Sequence, residues 1–305
     1  MLAGSAVAGA PYTSLAQGRG SESVLLELPS SPRGMALGGA YTAASNDAAL
    51  LFTSPSRIGA EHRLTAAISG ARYLLGSTLA AAAVVLPVGR GAVALGVQAL
   101  DYGRVEEVLE VPGSDDGQAT GESASASDAA VVLGYARGVR SVRAGVSVTA
   151  LNRSLAGDGS TRVLAAAGLS AGAWRKSTVA IAVRHLGPAM RHSVSDEGAP
   201  IAMQGGVALP VLCAGSASAI LFADLARVRS DRVRPAAGAE GAWAPTGGRG
   251  RVLARLGWRG GHAERGSELS GGLGVEIGAI ILDYATERLE ADGALIHRVG
   301  VRWRR

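Results

Sequence analysis

Apolar and polar residues alternate with a period of two along most of the chain after residue 62. The clearest case lies between residues 251 and 259. One face there carries Val252, Ala254, Leu256 and Trp258, and the other carries Arg251, Leu253, Arg255, Gly257 and Arg259. Successive side chains of a β-strand point to opposite faces, so this alternation predicts a strand with one apolar face.

The same alternation recurs in segments 142–150, 273–279 and 295–303, with His297 as a polar exception on the apolar side. Single-chain bacterial barrels have an even number of strands, so we predict fourteen wall strands, and segment 103–111 belongs either to the wall or to a long hairpin. The predicted strands are 63–74, 76–87, 91–102, 127–137, 140–153, 161–173, 176–187, 200–211, 215–229, 233–245, 249–260, 268–278, 278–287 and 294–304.

The connections between these segments differ in length. Residues 89–91 and 137–138 predict tight hairpin turns, whereas 112–127, 192–199 and 260–267 are longer and polar. Outer-membrane barrels have short turns at one end and longer loops at the other. The connections therefore favour a barrel.

Two architectures produce this alternation. A transmembrane barrel has a lipid-facing exterior and a polar interior, and a soluble antiparallel sandwich also alternates. The longest apolar run, residues 79–88, contains Pro87 and is far shorter than the roughly 20 residues of a transmembrane helix. The number and uniformity of the strands favour an all-β fold, a closed antiparallel transmembrane β-barrel. A soluble all-β surface or binding protein is the alternative.

Residues 25–58 do not follow the strand pattern. Gly38 and Gly39 predict a backbone turn that residues with a Cβ atom resist. From Tyr41 to Phe52, apolar residues recur at roughly helical spacing, which predicts a short helix that Pro55 ends. A helix N-terminus packed on a core would also account for this pattern.

This stretch resembles the N-terminal signature of the PorV/PorQ family of outer-membrane proteins, relatives of the FadL-type channels for hydrophobic compounds. That signature has a Leu-rich strand ending in proline, a basic residue, a Leu-Gly-Gly-Ala-(Tyr/Phe) turn, a pair of acids and Asn-Pro-Ala-Gly-Leu. The matching residues are Gly38, Gly39, Ala40, Tyr41, Thr42, Ala43, Asp47, Ala48 and Pro55. The chain departs from the signature at Asn46, at Ser54 and at residues 56–58.

The resemblance implies an outer-membrane barrel of a diderm bacterium, with the N-terminal segment forming a plug or hatch. It also implies a type IX secretion-associated role in surface assembly, with secreted cargo proteins or the type IX translocon as partners beside outer-membrane lipid. A FadL-like channel for hydrophobic small molecules is the alternative function. Residues 1–16 are interpreted as a signal peptide or its remnant, 17–61 as the plug or hatch, and 62–305 as the barrel.

Composition narrows the function classes. The chain has 305 residues, a mean hydropathy of +0.22 and a net charge of +5. The arginines are spread along the chain, and 4 Trp, 6 Tyr and 2 Phe are too few for a base-stacking platform, so nucleic acid is not an expected partner. Cys213, the single cysteine, excludes an intramolecular disulfide, and its apolar segment predicts that it is buried.

The chain carries little catalytic or cofactor chemistry. Its histidines (62, 185, 192, 262 and 297) are isolated, so we predict no enzyme activity, metal or cofactor. Four loop carboxylates, Asp115, Asp116, Glu122 and Asp128, have the chemistry of calcium ligands, but a solvated external loop is the preferred interpretation.

Arg251, Arg255 and Arg259 are candidate lumen-lining residues. They would either line an anion pore or form ion pairs with Glu276 or Asp283 on neighbouring strands. Trp258 and Trp303 are candidates for the membrane interface or for simple packing in the wall.

Overall fold

The computed structural model describes residues 23–73, 76–109, 118–155, 158–187, 190–192, 195–197, 201–228, 232–245, 250–262, 266–288 and 295–305. The signal-peptide interpretation of residues 1–16 and two of the loop carboxylates, Asp115 and Asp116, lie outside the described residues.

The fold is a closed antiparallel β-barrel of fourteen strands, which confirms the predicted fold class. Each wall strand pairs with the neighbouring wall strands along the chain, and β1 pairs with β16 to close the ring. The strands are β1 (Thr65–Arg72), β2 (Thr78–Val88), β3 (Gly91–Leu109), β4 (Gln118–Val139), β5 (Val142–Leu155), β6 (Asp158–Gly172), β7 (Thr178–Leu186), β8 (Met190–His192), β9 (Ser195–Glu197), β10 (Ala202–Ala214), β11 (Ala217–Val228), β12 (Arg234–Trp243), β13 (Gly250–His262), β14 (Gly266–Ile277), β15 (Ile280–Arg288) and β16 (Leu295–Arg304).

Each predicted wall strand overlaps an observed one. Segment 103–111 overlaps the distal part of β3, which continues well past the wall. A separate two-stranded sheet of β8 and β9 lies between β7 and β10, in a region predicted as a polar loop, and it was not predicted. A short 3₁₀ helix, Trp174–Lys176, connects β6 and β7.

The two faces of the wall differ as the alternation predicts. On β13 the outward-facing Leu256 is 72% exposed, whereas the inward-facing Leu253 is 7% exposed. Large apolar side chains are likewise exposed on the outer face of every wall strand. His297 is on this outer face, where its Nδ1 lies 2.7 Å from the hydroxyl of Tyr284. The closed ring rules out the two stacked sheets of the soluble sandwich alternative.

Residues 23–61, called the N-terminal segment below, contain only short helical turns. Helix α1 (Pro32–Ala36) begins after Ser31, whose side chain accepts a hydrogen bond from the backbone N–H of Gly34. Gly38 and Gly39 follow with φ values of +65° and +81°, which confirms the predicted turn. Three 3₁₀ turns complete the segment: Val24–Leu26, Ala48–Phe52 and Pro55–Arg57.

The predicted helix from Tyr41 to Phe52 is wrong over residues 41–47. Only Ala48–Phe52 is helical, and it begins after Asp47, whose side chain accepts from the N–H of Ala49. Pro55 starts a new 3₁₀ turn instead of ending the helix. The Leu-rich stretch before Pro29 forms a 3₁₀ turn rather than the strand of the family signature.

Candidate functional site

The N-terminal segment contacts or closely approaches inward-facing residues of all fourteen wall strands. A segment that meets every strand of a closed ring lies inside the ring. The wall residues, in order around the barrel, are Ser69, Val85, Gly96, Gly134, Gly145, Gly168, Arg184, Gln204, Asp224, Glu240, Gly257, Gly272, Ala285 and Gly300.

Glycine permits the closest of these approaches. A Cβ atom at Gly257 would collide with the backbone at Leu37 and Gly38, and one at Gly145 would collide with the backbone of Pro55 and Ser56. Since backbone atoms cannot move aside as a flexible side chain can, these two wall positions exclude any larger residue while the segment stays in place.

Buried ion pairs bind the segment to one side of the wall. Arg33 donates from Nε and Nη2 to the two carboxylate oxygens of Glu240, each at 2.7 Å. Glu240 also accepts from Nε of Arg255 at 2.6 Å. Arg33 and Glu240 are 5% and 8% exposed, so in the interior of the barrel one carboxylate bridges a guanidinium group of the segment and one of the wall.

The ion pairs continue along the same side of the wall, from β13 to β16. Arg255 Nη1 lies 2.7 Å from Asp283 Oδ1, and Asp283 Oδ2 accepts from Arg302 Nε at 2.5 Å. Arg302 Nε in turn lies 3.9 Å from Asp47 Oδ2 on the N-terminal segment. The three arginines and three carboxylates, Arg33, Glu240, Arg255, Asp283, Arg302 and Asp47, are called the lumen ion-pair network below. It begins and ends on the N-terminal segment.

Burial and neighbouring charges fix the protonation of this segment. Burial alone would lower the pKa of the Arg33 guanidinium, but the Glu240 carboxylate beside it raises that pKa above its ordinary value. Burial, together with nearby Asp47, raises the pKa of the Tyr41 hydroxyl well above its ordinary value. Both side chains therefore stay protonated at physiological pH.

A second attachment comes from β11. The buried carboxylate of Asp224 accepts hydrogen bonds from the backbone N–H groups of Tyr41 and Thr42, at 3.0 and 2.8 Å. The wall therefore supplies the hydrogen-bond acceptor for both N–H groups. This contact explains why residues after Gly39 form a turn rather than the predicted helix.

All three lumen arginine candidates face inward, and each is near a carboxylate. Arg255 is in the lumen ion-pair network. Arg259 lies 3.2 Å from Glu268 and 3.0 Å from Glu287, and it donates to the carbonyl of Gly38 at 3.1 Å.

Arg251 lies 4.0 Å from Glu276 and donates to Ser218 Oγ. The positions of the three arginines correspond to the ion-pair interpretation rather than to an anion pore.

The signature residues occupy the centre of the segment. Ala40 and Tyr41 are buried, Asp47 belongs to the lumen ion-pair network, and the carbonyl of Pro55 packs on Gly145. Sequence reasoning missed Asp224 and Glu240. A signal existed, since each is a lone acid at an inward position of an otherwise apolar strand.

A small cavity lies beside the segment. The cavity between the segment and β3–β7 has a volume of about 30 Å³, and Leu26, Leu51, Phe52, Val132 and Arg184 are among its lining residues. A water molecule needs about 10–15 Å³ measured in this way, so the cavity holds about two waters. This cavity is too small for a hydrocarbon solute.

Within the described ranges, no helix is long and apolar enough to cross a membrane. The same residues contain no group of three or more His, Cys, Asp or Glu side chains placed to hold a metal ion.

Comparisons with known proteins identify the fold. No family model and no curated protein sequence matches the chain. The toluene transporter TbuX of Ralstonia pickettii aligns with a TM-score of 0.60 at 13% identity, over 90% of this chain and 97% of TbuX. The CymD monoaromatic hydrocarbon channel gives 0.62 at 11% identity, over 92% and 98%. A Pseudomonas aeruginosa FadL homologue gives 0.58 at 8% identity, over 90% and 98%.

These likenesses show the fold alone, and none of them supports the PorV/PorQ part of the sequence resemblance. A closed fourteen-stranded barrel with an apolar outer face points to the outer membrane of a diderm bacterium, in contact with its lipid.

Proposed function

We propose that this protein is an outer-membrane channel for hydrophobic small molecules and that its N-terminal segment acts as a hatch. The observation that carries the proposal is the lumen filled by one anchored segment, in a barrel that aligns with hydrocarbon channels over about nine tenths of this chain and nearly all of theirs. Monoaromatic hydrocarbons are the first solutes to test, because TbuX is a toluene transporter and CymD is a monoaromatic hydrocarbon channel.

The two sides of the hatch suggest where a solute passes. On the side of β12–β16, the lumen ion-pair network holds the segment through Arg33 and Asp47. Facing β3–β7, the segment presents apolar side chains such as Leu51 and Ile58, and the small cavity lies there. The wall arginines on this side, Arg143 and Arg184, donate to backbone carbonyls of the segment at Ile58 and Phe52. Separating these contacts breaks no pair of the lumen ion-pair network, so we expect the passage to open on the β3–β7 side.

The secretion role implied by the PorV/PorQ resemblance has no comparable support. The wall is closed by strand pairing, and the lumen is occupied rather than wide. A secretion component would be expected to offer a protein-sized passage or surface, and nothing described here favours that role over uptake.

The test is uptake of radiolabelled toluene by Gram-negative cells that lack their own FadL-type genes. Cells making the protein should take up toluene faster than cells with an empty vector. Val132→Trp fills the lumen cavity and should reduce uptake to near the vector level, because Val132 is 3% exposed and lines that cavity.

The matched control is Val131→Trp, since Val131 is on the same strand but faces outward and is 50% exposed. It should leave uptake unchanged. Slower migration of heated protein in detergent gels would verify that each barrel is folded. A folded wild-type barrel with no uptake, which instead captures secreted proteins from solubilised outer membrane, would contradict the channel proposal and favour secretion.

A further inference from the structure

One end of the barrel carries most of the tight connections. Residues 89–90, 140–141, 173–177, 215–216 and 278–279 connect strands at this end, and the two described chain segments 61–64 and 304–305 also lie there. This end is called the turn rim below. Its exposed cations are Arg63, Arg90, Arg140, Arg175, Lys176 and Arg305, and the exposed Arg137 of β4 lies two residues before Val139 at the same end.

The turn rim has little negative charge to balance these cations. Among the described residues there, Glu61 is the exposed carboxylate, and Glu276 faces the lumen with Arg304 and Arg251. The rim therefore presents a surplus of positive charge that is available to a partner outside the chain.

The apolar outer face extends up to these cations. Val88, Val139, Val142, Ile277 and Ile280 are between 46% and 63% exposed and lie directly beside the rim connections. In a bilayer these side chains would occupy the edge of the hydrocarbon, so the cations next to them would lie at the level of the lipid headgroups.

Tryptophan residues lie at the same level. Trp174 is 72% exposed, Trp243 is 55% exposed, and Trp303 also faces outward at the end of β16. Tryptophan is enriched at membrane–water interfaces because its ring is apolar and its N–H is polar. The guanidinium of Arg175 lies 4.2 Å from the ring centre of Trp174, which holds the cation beside the membrane edge.

We infer that the turn rim binds the phosphate headgroups of anionic phospholipids in the adjacent leaflet. The cations follow the edge of the wall from β16 through β1 to β7 instead of forming one compact patch. A leaflet contacts the wall along this whole arc, whereas a folded acidic protein would contact only part of it. The inference depends on the proposed membrane location and is independent of the solute.

The experiment measures lipid selectivity of the full-length protein. Purified protein is exchanged into mixed micelles with equal amounts of phosphatidylglycerol and phosphatidylethanolamine, and retained lipids are counted by native mass spectrometry. We expect the wild type to retain phosphatidylglycerol with about a fivefold preference, since a cation near an anionic surface contributes about 1 kcal/mol. The preference should fall as salt is added.

The test variant is Arg137→Gln/Arg140→Gln/Arg175→Gln/Lys176→Gln, which should lower the preference to about twofold or less, since Arg63, Arg90 and Arg305 remain. The matched control, Arg72→Gln/Arg104→Gln/Arg227→Gln/Arg288→Gln, removes four exposed charges at the opposite end and should keep it. Tryptophan quenching by brominated phosphatidylglycerol should show the same pattern, and heat-modified gel migration verifies folding.

The inference is overturned if the folded wild type shows no preference for phosphatidylglycerol. Binding of polyglutamate without such a preference would point to an acidic protein partner instead. It is also overturned if the control variant loses the preference as fully as the test variant. Lipid selectivity is measured without a solute, so its failure would leave the uptake proposal standing, and failed uptake would leave the rim inference standing.

Discussion

At the scale of single residues, Glu240 is the carboxylate that joins Arg33 of the N-terminal segment to the wall. It accepts hydrogen bonds from Arg33 on the N-terminal segment and from Arg255 on the wall, in an interior with little access to water. Removing one member of a buried ion pair leaves an uncompensated charge, which costs about 3–5 kcal/mol. The attachment of the segment therefore depends strongly on this one carboxylate.

Glu240→Gln should lower the free energy of unfolding by about 3 kcal/mol, because the buried Arg33 guanidinium would face a neutral amide and Arg255 would keep Asp283 as its remaining carboxylate partner. Urea unfolding in lipid bilayers, followed by tryptophan fluorescence, measures the change. Glu61→Gln, at an exposed carboxylate, is the control and should stay within about 0.5 kcal/mol of the wild type. Equal effects of the two substitutions would contradict the role given to Glu240.

Gly257→Ala tests the close approach of segment and wall. Its Cβ would collide with the backbone at Leu37 and Gly38, and such overpacking costs about 1–3 kcal/mol. Trypsin should then cleave after Arg33 about ten times faster or more, since cleavage follows the population of the displaced segment.

Gly241→Ala is the matched control on the adjacent strand, because a Cβ there meets no atom within 4 Å. Its cleavage rate should equal that of the wild type. An unchanged rate in Gly257→Ala would mean that the segment does not lie against β13 as described.

At the residue scale, the sequence predicted which face of the wall the lumen arginines lie on, but not all of the acids that they contact. The period of two correctly places Arg255 on the inner face, because the face on which a strand residue lies depends only on local backbone geometry. Its contacts with Glu240 and Asp283 join residues on three strands, and no local pattern encodes which acid a given arginine reaches.

At the scale of elements, wall strands were predictable and the N-terminal segment was not. Each wall strand has an apolar outer face, so the same alternation recurs in every one of them. Residues 41–47 have the spacing of a helix, but Asp224 takes the N–H groups of Tyr41 and Thr42. A contact 182 positions away along the chain overrides the local preference.

Leu256→Arg distinguishes a lipid-facing wall from a water-facing one. Leu256 is 72% exposed near the middle of β13, so in water the change should have little effect. In a bilayer, arginine at mid-depth should destabilise the barrel by about 2–4 kcal/mol.

Val139→Arg, beside the turn rim, should cost about 1 kcal/mol or less, because charged residues are tolerated near the interface. Unfolding in lipid bilayers measures both variants. Equal and negligible effects would remove the support for a membrane location.

At the scale of the whole molecule, the single cysteine offers a test of how the barrel is oriented in the outer membrane. The prediction that Cys213 is buried is wrong. It is exposed near the end of β10, next to the turn at residues 215–216, where the wall meets the rim. Its apolar neighbours, on which the prediction rested, face outward rather than into a core.

Short turns of outer-membrane barrels face the periplasm, so a membrane-impermeant maleimide should not label Cys213 in intact cells. Labelling should appear once the outer membrane is permeabilised. The control is the double variant Cys213→Ser/Arg104→Cys. Its cysteine lies at the opposite end of the barrel and should be labelled in intact cells. The reverse pattern would mean that the barrel is inserted in the opposite direction.

The hairpin of β3 and β4 is much longer than the wall requires. β4 has 22 residues and pairs with β5 only from Ala126 onward, so residues 118–125 reach beyond their neighbour. At about 3.3 Å per residue, this extension adds roughly 25 Å. In a cell it would protrude into the surrounding polysaccharide, where antibodies and bacteriophages make first contact. An epitope tag inserted between Leu109 and Gln118 would therefore allow the protein to be stained on living cells.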